Sequence, residues 1–395
     1  MVCKRPFHVT MGIKENQTII QDVRNDDQTD VHPSRSRAAA LISYFLRWVS
    51  NWLVVPFAFV ENVCARLAHA LRGWAFLQVL ERVAHLGVLV AVISYVLHTD
   101  DRRRSDHYQA WQVINLTQGK TGNGGRIDAM QRLNTDKVSM RGIDVTRAFL
   151  DGVQLPGSRL EHARLDSTSL ANANFRRADL SFAKLHKANI QCADFRGAYL
   201  GYADLAASHA QYAEFTRASM RRANLSNAFL FGAKLDGVNL FEADISDTNL
   251  QKATLEGARM DRIRAREAEM VGTRLRGAHI READLADARL DGSDLSSVDL
   301  TDTDVAGVSL LGSDLSHANL DNLKNWRAIR SLYGANLYGV RNAPAGFIRW
   351  AVDTMGAVQV SRFEEWVELA ERAIPVGMFD VTAFARFGPG HRNCQ

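Results

Sequence analysis

A chain of 395 residues has room for two or three domains, and its 46% hydrophobic content allows both a buried core and a membrane segment. A formal net charge of +4 is too small at this length for the total to set up a strong field toward nucleic acid or a membrane surface. Cys3, Cys64, Cys192 and Cys394 lie far apart with no CxxC spacing, which argues against a zinc site or a disulfide framework and fits a reducing compartment.

In chain order, residues 1–37 are polar and charged and are expected to form a disordered tail; the first apolar run starts too late for a cleavable signal peptide. Residues 38–99 form a hydrophobic helical region with one or two transmembrane helices. The first segment, Ala38 to Val60, has about the length a bilayer requires, roughly 20 residues. Its central Arg47 costs about 2.5–3.5 kcal/mol, while each Leu, Ile, Phe or Val returns about 0.3–0.6. Insertion is near break-even, and a helix lying at the interface or packed on a partner is the other reading. The second segment, Val83 to Leu97, carries no charge but is shorter than a full span, so tilt or snorkelling of Arg82 would have to complete it. Arg35 and Arg37 precede the first segment and Arg102, Arg103 and Arg104 follow the second, which places both ends in the cytoplasm if both segments cross.

Residues 100–135 read as a helical linker and N-terminal cap, with helical pieces at about 104–118 and 125–134. From Met140 every fifth residue is apolar and as a rule large: Val145, Leu150, Leu155, and on through Leu180, Phe195 and Leu205 to Leu320. Two residues earlier stands a small or β-branched residue, as at Ala173, Ala178, Ala183 and Ala188. Five is neither the helical nor the strand period, so the chain must turn a corner at every repeat. Asp or Asn recurs just before the large residue, at a position expected to face water. Glycine is phased two residues after it, at Gly142, Gly152, Gly157, Gly197, Gly232 and Gly237, while Gly201 strays; a tight turn with positive φ imposes such phasing. Phe175, Phe195 and Phe215 are spaced by twenty and would stack in a coil of four sides. At Ile263 and Ala265 the large and small positions are exchanged, a local repacking at which the rod could kink; Ser208 with Ala210 is a milder case.

These residues resemble the pentapeptide-repeat family, whose A(D/N)LXX pattern stands here as Ala178-Asp179-Leu180, Ala188-Asn189-Ile190, Ala193-Asp194-Phe195, Ala223-Asn224-Leu225 and Ala283-Asp284-Leu285. The resemblance covers residues 136–322, about 185 residues. It implies a right-handed quadrilateral β-helix of about nine coils and, at roughly 4.8 Å per coil, a rod on the order of 43 Å long. YQAWQVIN at 108–115, the following GGRIDAMQRLN, and NAPAGFIRWA at 342–351 resemble flanking elements of bacterial, membrane-associated members. Residues 323–395 are expected to be a C-terminal cap built on Trp326, Leu332, Tyr333 and helices near 344–354 and 362–373.

No constellation of side chains resembles an active site. Gly119-Lys120-Thr121 lacks the earlier glycine of a phosphate loop and follows a helical pattern. His162, His186, His209, His279 and His317 share no metal-ligand spacing, and no cofactor or metal is implied. Two surface features stand out as a possible partner face. Phe182 and Tyr202, twenty apart, should stack on one face, with Tyr212 two sides further round. From Glu282 to Leu320 nine acids, among them Asp294, Asp302 and Asp304, meet Arg289 alone, whereas the earlier coils are basic. The resulting expectation is a non-catalytic scaffold, anchored in the bacterial inner membrane by its N-terminal helices. Its rigid β-helix would be presented in the cytoplasm to an unidentified protein partner, without direct nucleic-acid binding. The alternative, drawn from the resemblance, is a DNA-mimicking regulator that binds a type II topoisomerase. On this reading Phe195→Asp destroys the fold and Asp194→Lys is tolerated.

Overall fold

Five residues that bury one large and one small side chain, and then reverse direction, can close their backbone hydrogen bonds only with the same residues one coil away. That arrangement is found in the computed structural model, which describes residues 63–66, 75–117, 122 and 124–373. Parallel bridges join each residue before a large position to the residue twenty further on, from Asp144↔Arg164 to Asp304↔Lys324. Four repeats therefore make one coil. The Leu160 N–H donates to the Asp179 carbonyl (2.7 Å) and the Asp179 N–H to the Ser158 carbonyl (2.8 Å), and the pattern recurs coil after coil.

Each corner is a tight turn. The Ala178 N–H donates back to the Phe175 carbonyl (3.0 Å) across Arg176 and Arg177, and Arg177 has φ of 56°. Positive φ at the third turn residue is the type II arrangement. Glycine meets it at Gly142 (70°), whereas Gly201, out of phase, has no positive φ. Side chains as large as Phe182 and Tyr202 hold the same conformation at 60° and 58°. Within the coil, Phe175, Phe195 and Phe215 stack with ring centroids 5.2 and 5.1 Å apart, fully buried. Threonines at the small position keep their hydroxyls satisfied: Thr168 donates to the Val145 carbonyl (3.1 Å) and Thr248 to that of Leu225 (2.9 Å).

The exchanged pair does not bend the rod. Ile263 and Ala265 are both buried, and the bridges Asp244↔Arg264 and Arg264↔Asp284 continue in register. The recurrent Asp or Asn departs from the expectation of a merely solvated position. Its Oδ1 accepts the N–H two residues on, from Asp179 to Ser181 (2.9 Å), Asp194 to Arg196 (3.1 Å) and Asp244 to Ser246 (3.0 Å). The residue closes the turn it precedes, as Asx side chains do. Asp194→Lys loses this turn bond, a cost the fold is still expected to absorb.

A solenoid's open ends must be covered. Helix α1 (Ala75–Leu116) and helix α2 (Arg126–Thr135) meet the first coil, with Ala110, Ile114, Met130 and Leu133 buried in the same core. Gln131 accepts the Gln154 N–H (2.9 Å), Asn134 donates to the Pro156 carbonyl (3.1 Å) and His107 bonds Asp136 (2.8 Å). At the other end a short 3-10 turn at Trp326–Ala328 inserts two residues. The register then becomes twenty-two, Ser309↔Ser331, and bridging reaches Val358 through Asn336↔Val358. Helices α3 (Phe347–Asp353) and α4 (Phe363–Ala373) follow. Phe347, Trp350 and Trp326 cluster edge to face over the last coil, and Trp366 of α4 donates to the Gly334 carbonyl (3.0 Å).

Two expectations are corrected here. No helix among the described residues is long and apolar enough to cross a membrane. In α1 the charge-free run Val83–Leu97 would rise only about 22 Å at 1.5 Å per residue, against a hydrocarbon core of about 30 Å, before Asp100 to Arg104 follow. Cys192 is disulfide-bonded, against the expectation, drawn from the cysteine spacing, of a reducing compartment. The tail at 1–37, the first apolar segment at 38–60 and Gly119-Lys120-Thr121 lie outside the described residues. The chain divides into two units, Met1–Tyr95 and Val96–Gln395, and the whole solenoid belongs to the second.

Candidate interaction surface

Because corners repeat every twenty residues, side chains at one corner form a column parallel to the rod axis. The column through Phe182 and Tyr202 reads Gly142, His162, Phe182, Tyr202, Arg222, Glu242, Arg262, Glu282, Asp302 and Asn322. Its first half is a stack of rings: His162 on Phe182 at 4.9 Å and 7°, and Phe182 on Tyr202 at 4.9 Å and 4°. Phe182 and Tyr202 are 46% and 49% exposed, so the stack stands in solvent. Arg222 then lies over the Tyr202 ring, its Cζ 5.6 Å from the centroid, and donates to the Tyr202 hydroxyl (2.6 Å).

Below it the column becomes a ladder of alternating charge: Arg222 to Glu242 (2.5 Å), Arg262 to Glu242 (3.7 Å) and Arg262 to Glu282 (2.9 Å). The Arg222 hydrogen bond holds the Glu242 carboxyl below the usual carboxylate range, and the Glu242 bond followed by that to the Tyr202 hydroxyl raises the Arg222 guanidinium. These pairs are solvent-exposed and act more on register than on stability.

The remaining residues of the expected partner face do not gather here. Tyr212 stands on a corner two sides round, half-buried and edge-on to Phe231 at 5.7 Å. Asp302 shares the aromatic column five coils further along and is bonded by Asn322, and Asp304 accepts from Asn325 (2.9 Å). Asp294 is 2% exposed and bound by Arg276 (3.0 Å), so it is corrected from a surface acid to a buried one. The acidic end is largely paired: Glu282 with Arg262, Asp284 with Arg266 (3.0 Å), Asp287 with Arg330 (3.0 Å) and Asp291 with Arg289 (3.4 Å). A second stack, His209 on Phe229 at 5.1 Å, escaped the sequence reading although the spacing of twenty was there to find it. Among the described residues no group of three or more His, Cys, Asp or Glu could hold a metal.

A cavity of about 630 Å³ opens between the last coils and the segment entering α4, lined by Asp314, Ser316, His317, Tyr338, Val360 and Phe363 among others. Burial pushes the Asp314 carboxyl up and the Asp294 charge adds to this, outweighing the Ser316 hydrogen bonds and Arg276. A carboxyl raised in the folded state favours folding below its unfolded pKa, and that contribution disappears as pH rises through the folded value. Asp314→Asn keeps an acceptor for the Ser316 N–H (2.9 Å) and removes the buried charge. Its melting temperature is expected to exceed that of the parent at pH 7 and to converge with it below about pH 4, in scans across pH. A lower melting temperature at pH 7 would contradict the assignment.

The family profile described as pentapeptide repeats matches residues 163–201, 198–237, 224–262, 258–296 and 293–324, as eight copies. Among solved structures the chain is similar to HetL, a pentapeptide-repeat protein involved in heterocyst differentiation regulation from the cyanobacterium Nostoc sp. strain PCC 7120. The identity is 26% over 58% of this chain and 91% of that one, with a TM-score of 0.33. Full-length QnrB1, a plasmid-mediated fluoroquinolone resistance protein, matches at 16% over 53% and 97%, with a TM-score of 0.31. Rfr23, a pentapeptide-repeat protein from the cyanobacterium Cyanothece 51142, matches at 30% over 25% and 62%, with a TM-score of 0.18. No curated protein matches the chain.

Proposed function

From a chain whose residues 163–324 are pentapeptide repeats, we propose a membrane-anchored, non-catalytic scaffold that presents a rigid four-sided β-helix to a protein partner in the cytoplasm. The observation that carries the anchor is the belt on α1. Val79, Leu80, Val83, Leu86, Val88, Leu89, Val90, Val92 and Ile93 are each 47–66% exposed, and they occupy every side of the helix. A helix apolar all round requires an apolar medium around it. The run is too short for a full crossing, so anchoring would rest on this belt lying among the acyl chains with Arg82, Arg103 and Arg104 reaching the headgroups. The apolar segment at 38–60 would add a second point of attachment. Basic residues after α1's apolar run favour a cytoplasmic repeat domain.

Interaction without catalysis is supported by the rod itself, whose interior is filled by Leu, Phe and Ala and whose outer surface is a lattice of paired charges. A DNA-mimicking role would need a continuous unpaired acidic face, and the arginine partners of Glu282, Asp284, Asp287, Asp291 and Asp294 weigh against it. Alkaline-carbonate extraction of membranes carrying the full chain is the test of the anchor. Retention in the pellet is expected; release to the soluble fraction would remove the anchor and leave a scaffold whose α1 belt is covered by protein.

A further inference from the structure

The aromatic column is unfinished at one end. Tyr202 is covered on its far side by the Arg222 guanidinium, and Phe182 is covered by rings above and below. His162 has Phe182 on one face only. The next position of its column is Gly142, exposed, where an added Cβ would meet nothing within 4 Å. Beside this gap stands Glu161, whose backbone carbonyl accepts the Gly142 N–H (2.8 Å). The Glu161 Oε2 is shielded from solvent and has no hydrogen-bond partner, an unfavourable state for a carboxylate oxygen. The side chain is otherwise half-buried, so rotation about its outer torsions would turn the carboxylate toward a donor at the gap. Arg141, next to Gly142, is exposed.

We propose that Gly142, Glu161 and His162 form a notch for an arginine side chain of a protein partner. The guanidinium would lie flat on the open face of His162 as the next rung of the stack, and its N–H groups would meet the Glu161 carboxylate. The chain supplies the precedent sixty to eighty residues on from His162: Arg222 closes the other end of the same stack and is itself held by Glu242 (2.5 Å). A planar cation with several donors satisfies the ring and the carboxylate together, and the compact ammonium of lysine satisfies only the charge. The notch rests on the scaffold reading and names the chemistry of one contact in it.

The test uses the full chain and two fluorescent decapeptides, alike but for a single central arginine or lysine, with binding read by anisotropy. The arginine peptide is expected to bind at least tenfold more tightly. Glu161→Gln should reduce its affinity about tenfold. Gly142→Phe should abolish the preference, because this corner position accepts Phe182 at φ of 60° and a ring there would occupy the gap without disturbing the coil. An unchanged melting temperature for Gly142→Phe separates a filled notch from a damaged fold. Equal binding of the two peptides, no binding of either, or arginine preference surviving Gly142→Phe would each overturn the notch. Capture of a native partner that persists in Gly142→Phe would overturn the notch as the contact and leave the scaffold standing.

Discussion

Phe195→Asp is expected to abolish cooperative folding of the repeat domain, with no thermal transition by circular dichroism under conditions where the parent melts sharply. Phe195 is fully buried between Phe175 and Phe215. Removing a buried phenylalanine costs about 3–5 kcal/mol before any charge is considered. An unpaired buried carboxylate adds several more. The sum approaches the whole stability of an ordinary domain, about 5–15 kcal/mol. The position also matters. Near the end of a solenoid a damaged coil can fray away, but Phe195 is interior and both of its stacking partners lose contact with it. Asp194→Lys, one residue away, is the comparison. It loses the turn bond to the Arg196 N–H and places a third cation beside Arg176 and Arg196, a cost of about 1–2 kcal/mol that leaves the fold intact. In the parent, burial alone would raise the Asp194 carboxyl, but the Arg196 hydrogen bonds and the charges of Arg196 and Arg176 outweigh it and lower it. Its stabilising contribution is thus present above the unfolded carboxylate range and lost as pH falls through the folded value. Equal melting of the two variants would mean that the register is wrong.

Why the interior was legible and much of the surface was not follows from how a coil is made. Every coil imposes the same demand on its large, small and turn positions, so Leu180, Ala178 and Gly142 repeat their message many times, and the stack of Phe175, Phe195 and Phe215 follows from a spacing of twenty. Surface pairing runs perpendicular to the chain. Arg276 binds Asp294 eighteen residues later and Arg262 binds Glu282 twenty later. Counting charge along a window from Glu282 to Leu320 therefore separated many acids from the bases that neutralise them and made that end look more acidic than the folded surface is. The same blindness hid the turn-closing role of Asp179 and Asp194, because a carboxylate that accepts a backbone N–H two residues on looks in sequence like one that faces water. At the C-terminal end, the insertion at Trp326–Ala328 shifts the pairing from twenty to twenty-two, and the five-residue count loses the chain while the bridges continue to Val358.

The N-terminal cap yields the second large effect, and of a different kind. Leu133 of α2 is fully buried against the first coil, where Met130 and Ile114 join it in the core. A carboxylate at this position in Leu133→Asp would cost several kcal/mol, more than the contacts of a ten-residue helix can resist. The expected outcome is release of α2 from the rod without loss of the rod. Beyond the cap, residues such as Asp144, Phe149 and Gln154 pair with only one neighbouring coil, and uncovering them presents a row of unpaired backbone groups to any other edge. Hydrogen exchange should then rise sharply across residues 126–160 and stay near parental values around Phe195 and Phe215. Sedimentation velocity should show association that grows with protein concentration. In a structure where each coil rests only on its neighbours, damage at the end should stay at the end. Uniform loss of exchange protection through Leu320 would instead mean that the rod folds as one cooperative block for which the cap is the nucleus.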